Sequence, residues 1–114
     1  MNHLTTKEFK ETIYDFEKDK NFKYLGNQPC IILCSADWCG PCRTIAPVLE
    51  DLEKEGNFTL YKVDVDEEYE LSELFNIRSI PTILFVPLKG DPTSHTGSLP
   101  KSELKKLVVK YFGE

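Results

Sequence analysis

Ala36-Asp37-Trp38-Cys39-Gly40-Pro41-Cys42-Arg43 joins two stretches of different periodicity. Before it, Cys30-Ile31-Ile32-Leu33-Cys34 is short, continuous and apolar, which predicts a strand buried on both faces. After it, residues 43–55 place Ile45, Val48, Leu49 and Leu52 at helical spacing. The cysteine pair therefore lies at a strand-to-helix junction. With Cys39 as N-cap, Gly40 and Pro41 are the next two positions, where a proline costs little because the first helical N–H groups lack an intrahelical partner. The Cys42 amide, at the third helical position, then reaches the Cys39 sulfur. That bond and the positive end of the helix dipole both favour a thiolate at Cys39. Two cysteines so placed suit the making and breaking of one disulfide.

The chain of 114 residues has room for one domain, expected to span residues 1–114, with a core of ordinary size. A composition of 40% hydrophobic and 29% charged residues is that of a globular protein. The net charge of -5 comes with no basic stripe, so neither a nucleic acid nor an anionic membrane is expected as partner. No apolar run reaches the ~18 residues of a spanning helix, and residues 1–9 lack the apolar core of a signal peptide, so a cytoplasmic location is expected. Cys30 and Cys34, four residues apart in one predicted strand, stand about 13 Å from each other at ~3.3 Å per residue. A disulfide needs α-carbons within about 7 Å, so these two are expected to be small buried hydrophobes. His3 and His95 have no finger-like spacing to the cysteines, and no metal site is expected.

Along the chain, Thr5-Thr6-Lys7-Glu8 reads as a capping box opening a helix with Phe9, Ile13 and Phe16 on its apolar face, ending between residues 18 and 20. Phe22, Tyr24 and Leu25 are expected in a short extended segment on the core. Gly56-Asn57 ends the helix that follows the cysteines, and Pro47 should kink it. Residues 58–65 predict a strand, and Glu67 and Glu68 a solvated helix start with Leu71, Leu74 and Phe75 facing inward. Residues 83–87 predict a buried strand, residues 89–92 a turn and residues 94–97 an antiparallel edge strand. Pro100 opens a last helix with Leu104, Leu107, Val108 and Tyr111 on one face. The expected fold class is α/β, a central mixed β-sheet flanked by helices on both faces.

Trp38-Cys39-Gly40-Pro41-Cys42 resembles the active site of the thioredoxin family, and the likeness extends further. Ile80-Pro81-Thr82 resembles the family's cis-proline segment, Pro47 its helix-kinking proline, Gly97 the glycine near its last strand, and Lys62-Val63-Asp64-Val65-Asp66 its third-strand segment. Residues 29–113 match best, and residues 1–28 diverge, leaving only residues 1–3 for the family's first strand, which should be vestigial or absent. The resemblance implies the thioredoxin fold and a protein-disulfide reductase, with Cys39 the exposed nucleophile and Cys42 the shielded, resolving thiol. It implies a cis Ile80–Pro81 bond beside the cysteines, with the outward Ile80 backbone pairing with an extended client segment. Trp38, Gly40, Pro41, Ile80, Pro81, Gly97 and Ser98 would contact the client, and Lys62 would give electrostatic support. No bound cofactor is implied beyond the Cys39–Cys42 disulfide. Reducing equivalents would come from NADPH through a flavin-containing thioredoxin reductase, and the partners would be that reductase and disulfide-bearing clients of a monomeric protein.

Two positions depart from the family pattern. Leu33 stands where an aspartate is usual beneath the second cysteine, so Lys62 lacks its usual partner; Ser35 stands where a second tryptophan is common, leaving Trp38 the sole one. Competing readings are a disulfide oxidase or isomerase on the same fold and a non-catalytic binding subunit. Gly40-Pro41 favours the reductase over the first, and retention of both cysteines speaks against the second.

Overall fold

The computed structural model describes residues 1–113. Five strands form one mixed sheet in the order β1-β3-β2-β4-β5: β1 (Asn2–His3), β2 (Cys30–Ser35), β3 (Thr59–Asp64), β4 (Thr82–Val86) and β5 (Thr93–Thr96). The first three are mutually parallel, while β4 runs antiparallel to both β2 and β5. Every residue of β2 is buried, as a central strand covered on both faces requires. Side-chain alternation then divides the core. Cys30, Ile32 and Cys34 pack with Phe9 and Ile13 and with Leu71, on the side of α1 (Thr6–Thr12) and α3 (Tyr69–Leu74). Ile31 and Leu33 pack with Ile45, Leu49, Leu104 and Val108, on the side of α2 (Gly40–Glu55) and α4 (Lys101–Phe112). The sheet flanked on both faces is the expected architecture.

The capping box at Thr5 is present in full, its hydroxyl taking the Glu8 N–H at 3.1 Å. The helix ends at Thr12, however, well before residues 18–20. Asp15 is the cause: its Oδ1 accepts the Glu17 N–H at 3.2 Å and its carbonyl accepts from Lys18 and Asp19, folding the chain into turns. Phe16 still reaches the core beside Phe9, from a turn rather than a helix. Phe22 and Tyr24 pack as expected, but their segment forms no strand and Leu25 is 47% exposed. The first strand is vestigial: two residues, paired with Tyr61 and Lys62.

Two further expectations are corrected. Glu67 and Glu68 precede α3 instead of forming its first turn, because Asp64 takes their N–H groups on its carbonyl. Glu68 is not a solvated helix-start charge. Its Oε1 accepts the Thr6 N–H at 2.7 Å and the Thr6 hydroxyl at 2.9 Å, tying the start of α1 to the segment before α3. Leu74 lies 39% exposed, while Leu71 and Phe75 face the core. Strands β3, β4 and β5 sit within one residue of their expected bounds, and Pro100 is the N-cap of α4.

Candidate active site

The cysteines sit at the open end of β2. Cys39 has extended backbone (φ -86, ψ 106), the geometry of an N-cap, and its Sγ accepts the Cys42 N–H at 3.2 Å. Gly40 and Pro41 fill the first positions of a 16-residue helix, and the Cys39 and Cys42 α-carbons, joined by a disulfide, stand 5.3 Å apart. One expectation fails here. In the closed disulfide Cys39 is no more open than Cys42, each being 4% exposed. What separates the two is position: one sulfur at the mouth of the helix, the other inside its first turn.

Antiparallel pairing of Cys34 with Thr82 brings the entrance of β4 to the same end of the sheet. The Ile80–Pro81 peptide is cis, and the buried Pro81 carbonyl accepts the Gly97 N–H at 2.8 Å. Gly97 makes that turn at φ 97, a conformation that favours glycine. The segments carrying Trp38, Ile80 and Gly97 thus converge. The Ile80 N–H and C=O have no hydrogen-bond partner among the described residues. Gly40, Pro41 and Ser98 are exposed around this end, whereas Lys62 lies half-buried within β3, in register with Leu33.

A groove of about 380 Å³ opens beside the disulfide between Trp38 and Ile80. Val65, Ser72, Ile77, Arg78 and Ser79 complete its wall, and none of these stood out as functional in the sequence. The signal that could have found Arg78 and Ser79 is their place directly before Ile80-Pro81. Asp66 carries no signal of a functional role in the sequence either. It follows β3, parallel to β2 and therefore at the same end, and its Oδ2 accepts the Trp38 Nε1–H at 2.7 Å. Trp38 is 68% exposed, so this one bond fixes how its ring faces solvent. In Asp66→Ala the emission of the sole tryptophan is expected to shift to the red and its anisotropy to fall. Asp66→Asn, which keeps an acceptor oxygen, should retain most of the original anisotropy.

Burial alone pushes the Cys34 thiol up to about 12. Cys30 is likewise pushed up to about 12 by burial, against a hydrogen bond from Tyr24. Both are free and buried, the inert apolar fillers expected of them. Leu33 is fully buried where the family pattern has a carboxylate. Ser35 is buried with its Oγ lacking a partner among the described residues. A desolvated hydroxyl without a hydrogen bond destabilises, so Ser35→Ala is expected to raise stability by about 1 kcal/mol. Urea unfolding should show this as a higher midpoint at unchanged m-value.

Among the described residues no three His, Cys, Asp or Glu side chains gather as a metal site, and no helix is long and apolar enough to cross a membrane. The thioredoxin family model matches residues 1–110. A thioredoxin of Borreliella burgdorferi is 37% identical over 112 residues, covering 96% of each chain. An M-type chloroplastic thioredoxin of Spinacia oleracea is 40% identical over 95 residues, with 82% of this chain aligned to 52% of that one. Among solved structures, chloroplastic thioredoxin z superposes with a TM-score of 0.80 at 25% identity, covering 97% of this chain and 93% of its own. The N21Q thioredoxin of Halobacterium salinarum NRC-1 gives 0.77 at 26% identity, covering 96% and 88%. The chain belongs to the thioredoxin family and carries, in Cys39–Cys42, the redox-active disulfide of a thiol–disulfide oxidoreductase.

Proposed function

We propose that this protein works in the reducing direction, as a general protein-disulfide reductase of the cytoplasm acting as a single-domain monomer. The Cys39 thiolate attacks one sulfur of a client disulfide; a mixed disulfide forms and the second client sulfur leaves as a thiolate. Cys42 then attacks Cys39 Sγ, the client departs with both sulfurs reduced, and the Cys39–Cys42 bond closes. Two electrons pass to the client in each turn. A flavin-containing thioredoxin reductase drawing on NADPH restores the dithiol. The observation that carries the exchange chemistry is the Cys39 sulfur at the mouth of α2, receiving the Cys42 N–H, and the Gly40-Pro41 dipeptide favours the reducing direction. Partial positive charge there stabilises the attacking anion and the same sulfur as a leaving group.

Clients dock as extended segments. The unpaired Ile80 N–H and C=O supply backbone hydrogen bonds in the manner of strand addition, a mode that reads main chain and so admits many sequences. Trp38, Gly40, Pro41, Pro81, Gly97 and Ser98 form the surrounding contact surface. Lys62, with Leu33 beside it in place of a carboxylate, lends positive potential to the interior side of the site.

Reduction of insulin disulfides by NADPH, with a thioredoxin reductase and with or without this protein, tests the reading. Direction is tested by equilibration with glutathione. Thioredoxin and protein disulfide isomerase differ by about 90 mV, or roughly 4 kcal/mol, so one titration separates a reductase from an oxidase or isomerase.

A further inference from the structure

The chain has two arginines, Arg43 and Arg78, and both flank the redox site. Among the described residues the ion pairs engage lysines and the N-terminus, and neither arginine. Arg43 turns its Nη2 onto the Asp37 carbonyl at 2.9 Å. Arg78 has only a long contact, Nε–H to the neutral Asn76 Oδ1 at 3.4 Å, so the rest of its planar donor fork faces no carboxylate.

Arg78 is also the one charged residue lining the groove beside the disulfide. The rest of that wall is two serines and the apolar Trp38, Val65, Ile77 and Ile80. Trp38 spends its only donor on Asp66, so toward a ligand it offers ring surface and no hydrogen bond. The groove therefore presents apolar surface, an open Ile80 main chain and a single guanidinium. Around it the molecule carries a net charge of -5, with Asp37, Asp66 and Glu67 exposed near the cysteines. A client carboxylate arriving at Asp37, Asp66 or Glu67 meets like charge, and the Arg43 guanidinium is turned onto the Asp37 carbonyl; at Arg78 the carboxylate meets a fork matched to its own geometry.

We propose that Arg78 is a specificity-determining residue, and that the groove takes an extended client segment bearing an Asp or Glu close to its target cysteine, docked with that carboxylate on the guanidinium. The inference rests on the reading of this site as the client-docking site. Apolar contact and main-chain pairing hold the segment, and the single ion pair chooses its register.

The test uses the full-length reduced protein and synthetic peptides that each close one disulfide. The peptides are identical except for Glu, Gln or Lys, placed in turn at each of three positions on either side of the attacked cysteine. Rates of peptide reduction are read by acid quench and chromatography, so no reductase is needed. At one position the wild type should prefer Glu to Gln by about threefold to tenfold at low salt, a preference that fades near 0.5 M salt. Arg78→Glu should reverse it in favour of Lys, and Arg78→Lys should keep only part of it. Lys89→Glu makes the same charge change in the turn after β4, which leads away from the cysteines, and should keep the preference in full. Equal rates for Glu and Gln at all positions, or a preference that survives Arg78→Glu, overturns the role of Arg78 and leaves the reductase reading standing. A wild type unreactive toward every peptide overturns both.

Discussion

Cys39→Ser abolishes disulfide reduction, with an expected loss of about a thousandfold or more, because the hydroxyl is un-ionised where a thiolate is needed. Cys42→Ser loses turnover to the same extent for a different reason. Its attack step is intact, but the mixed disulfide with the client has no second thiol to break it. The two variants therefore look alike in a turnover assay and unlike by mass. Cys42→Ser should accumulate a covalent adduct of protein plus one client chain, released by dithiothreitol, and Cys39→Ser should accumulate none. An adduct through Cys42 in the Cys39→Ser protein would assign the roles the other way. The distinction bears on geometry, because in the closed disulfide the two residues are equally buried. Only the helix start, with the Cys42 N–H on Cys39 Sγ, favours one over the other. Comparing the variants with reduced wild type removes the disulfide's own contribution to stability. Loss of both thiols with client binding and biological effect intact would instead mark a binding subunit.

Leu33→Asp carries the second large effect. Leu33 is fully buried among Ile31, Ile45 and Leu49, so the change loses apolar burial of about 2 kcal/mol and desolvates a carboxyl. Lys62 is the register partner on the same face and the one cation placed to answer it. At neutral pH the variant should be less stable than wild type by roughly 3–5 kcal/mol. The pH dependence has a definite sign. Burial raises the folded-state pKa of the introduced acid above its unfolded value of about 3.9, so between the two values the unfolded chain has released a proton that the folded chain keeps. Stability relative to wild type should therefore fall as pH rises from about 4, by up to ~1.4 kcal/mol per unit, and level off above the folded pKa. Urea titrations of both oxidised proteins from pH 4 to 9 check this, and parallel curves would show that the acid is solvated rather than buried. The same carboxyl would give Cys42 a proton acceptor that wild type lacks. Rapid mixing should find release of the mixed disulfide faster in Leu33→Asp and more pH-dependent in wild type, where water takes the proton. An unchanged wild-type release rate from pH 6 to 9 counts against this.

Much of this architecture follows from local pattern. The short apolar run 30–34 before a turn reads as a central strand, which β2 is, and Cys39-Gly40-Pro41-Cys42 suits a helix start, where Pro41 costs little. Where pattern misled, a side chain or a distant partner overrode it. Phe9, Ile13 and Phe16 keep helical spacing past the real end of α1, because Phe16 returns to the same core from a turn built on Asp15. Glu68 reads as a helix-start charge until the fold sets it against Thr6, 62 residues earlier in the chain. Of the site, the cysteines announce themselves by type and spacing, and the cis Ile80–Pro81 bond only through the likeness to the family. Asp66 and Arg78 do not, because an exposed acid and an exposed base look alike everywhere until the sheet puts one on Trp38 Nε1 and the other in a groove beside the disulfide.

Timed alkylation of the reduced, folded protein at pH 7, with each cysteine followed by peptide mass, bears most directly on the helix-mouth thiolate. Cys39 is expected to react roughly fivefold or more faster than free cysteine, since thiolate fraction governs the rate. Cys30 and Cys34, held near 12 by burial, should stay unlabelled until the protein unfolds. A Cys39 no faster than free cysteine contradicts the account.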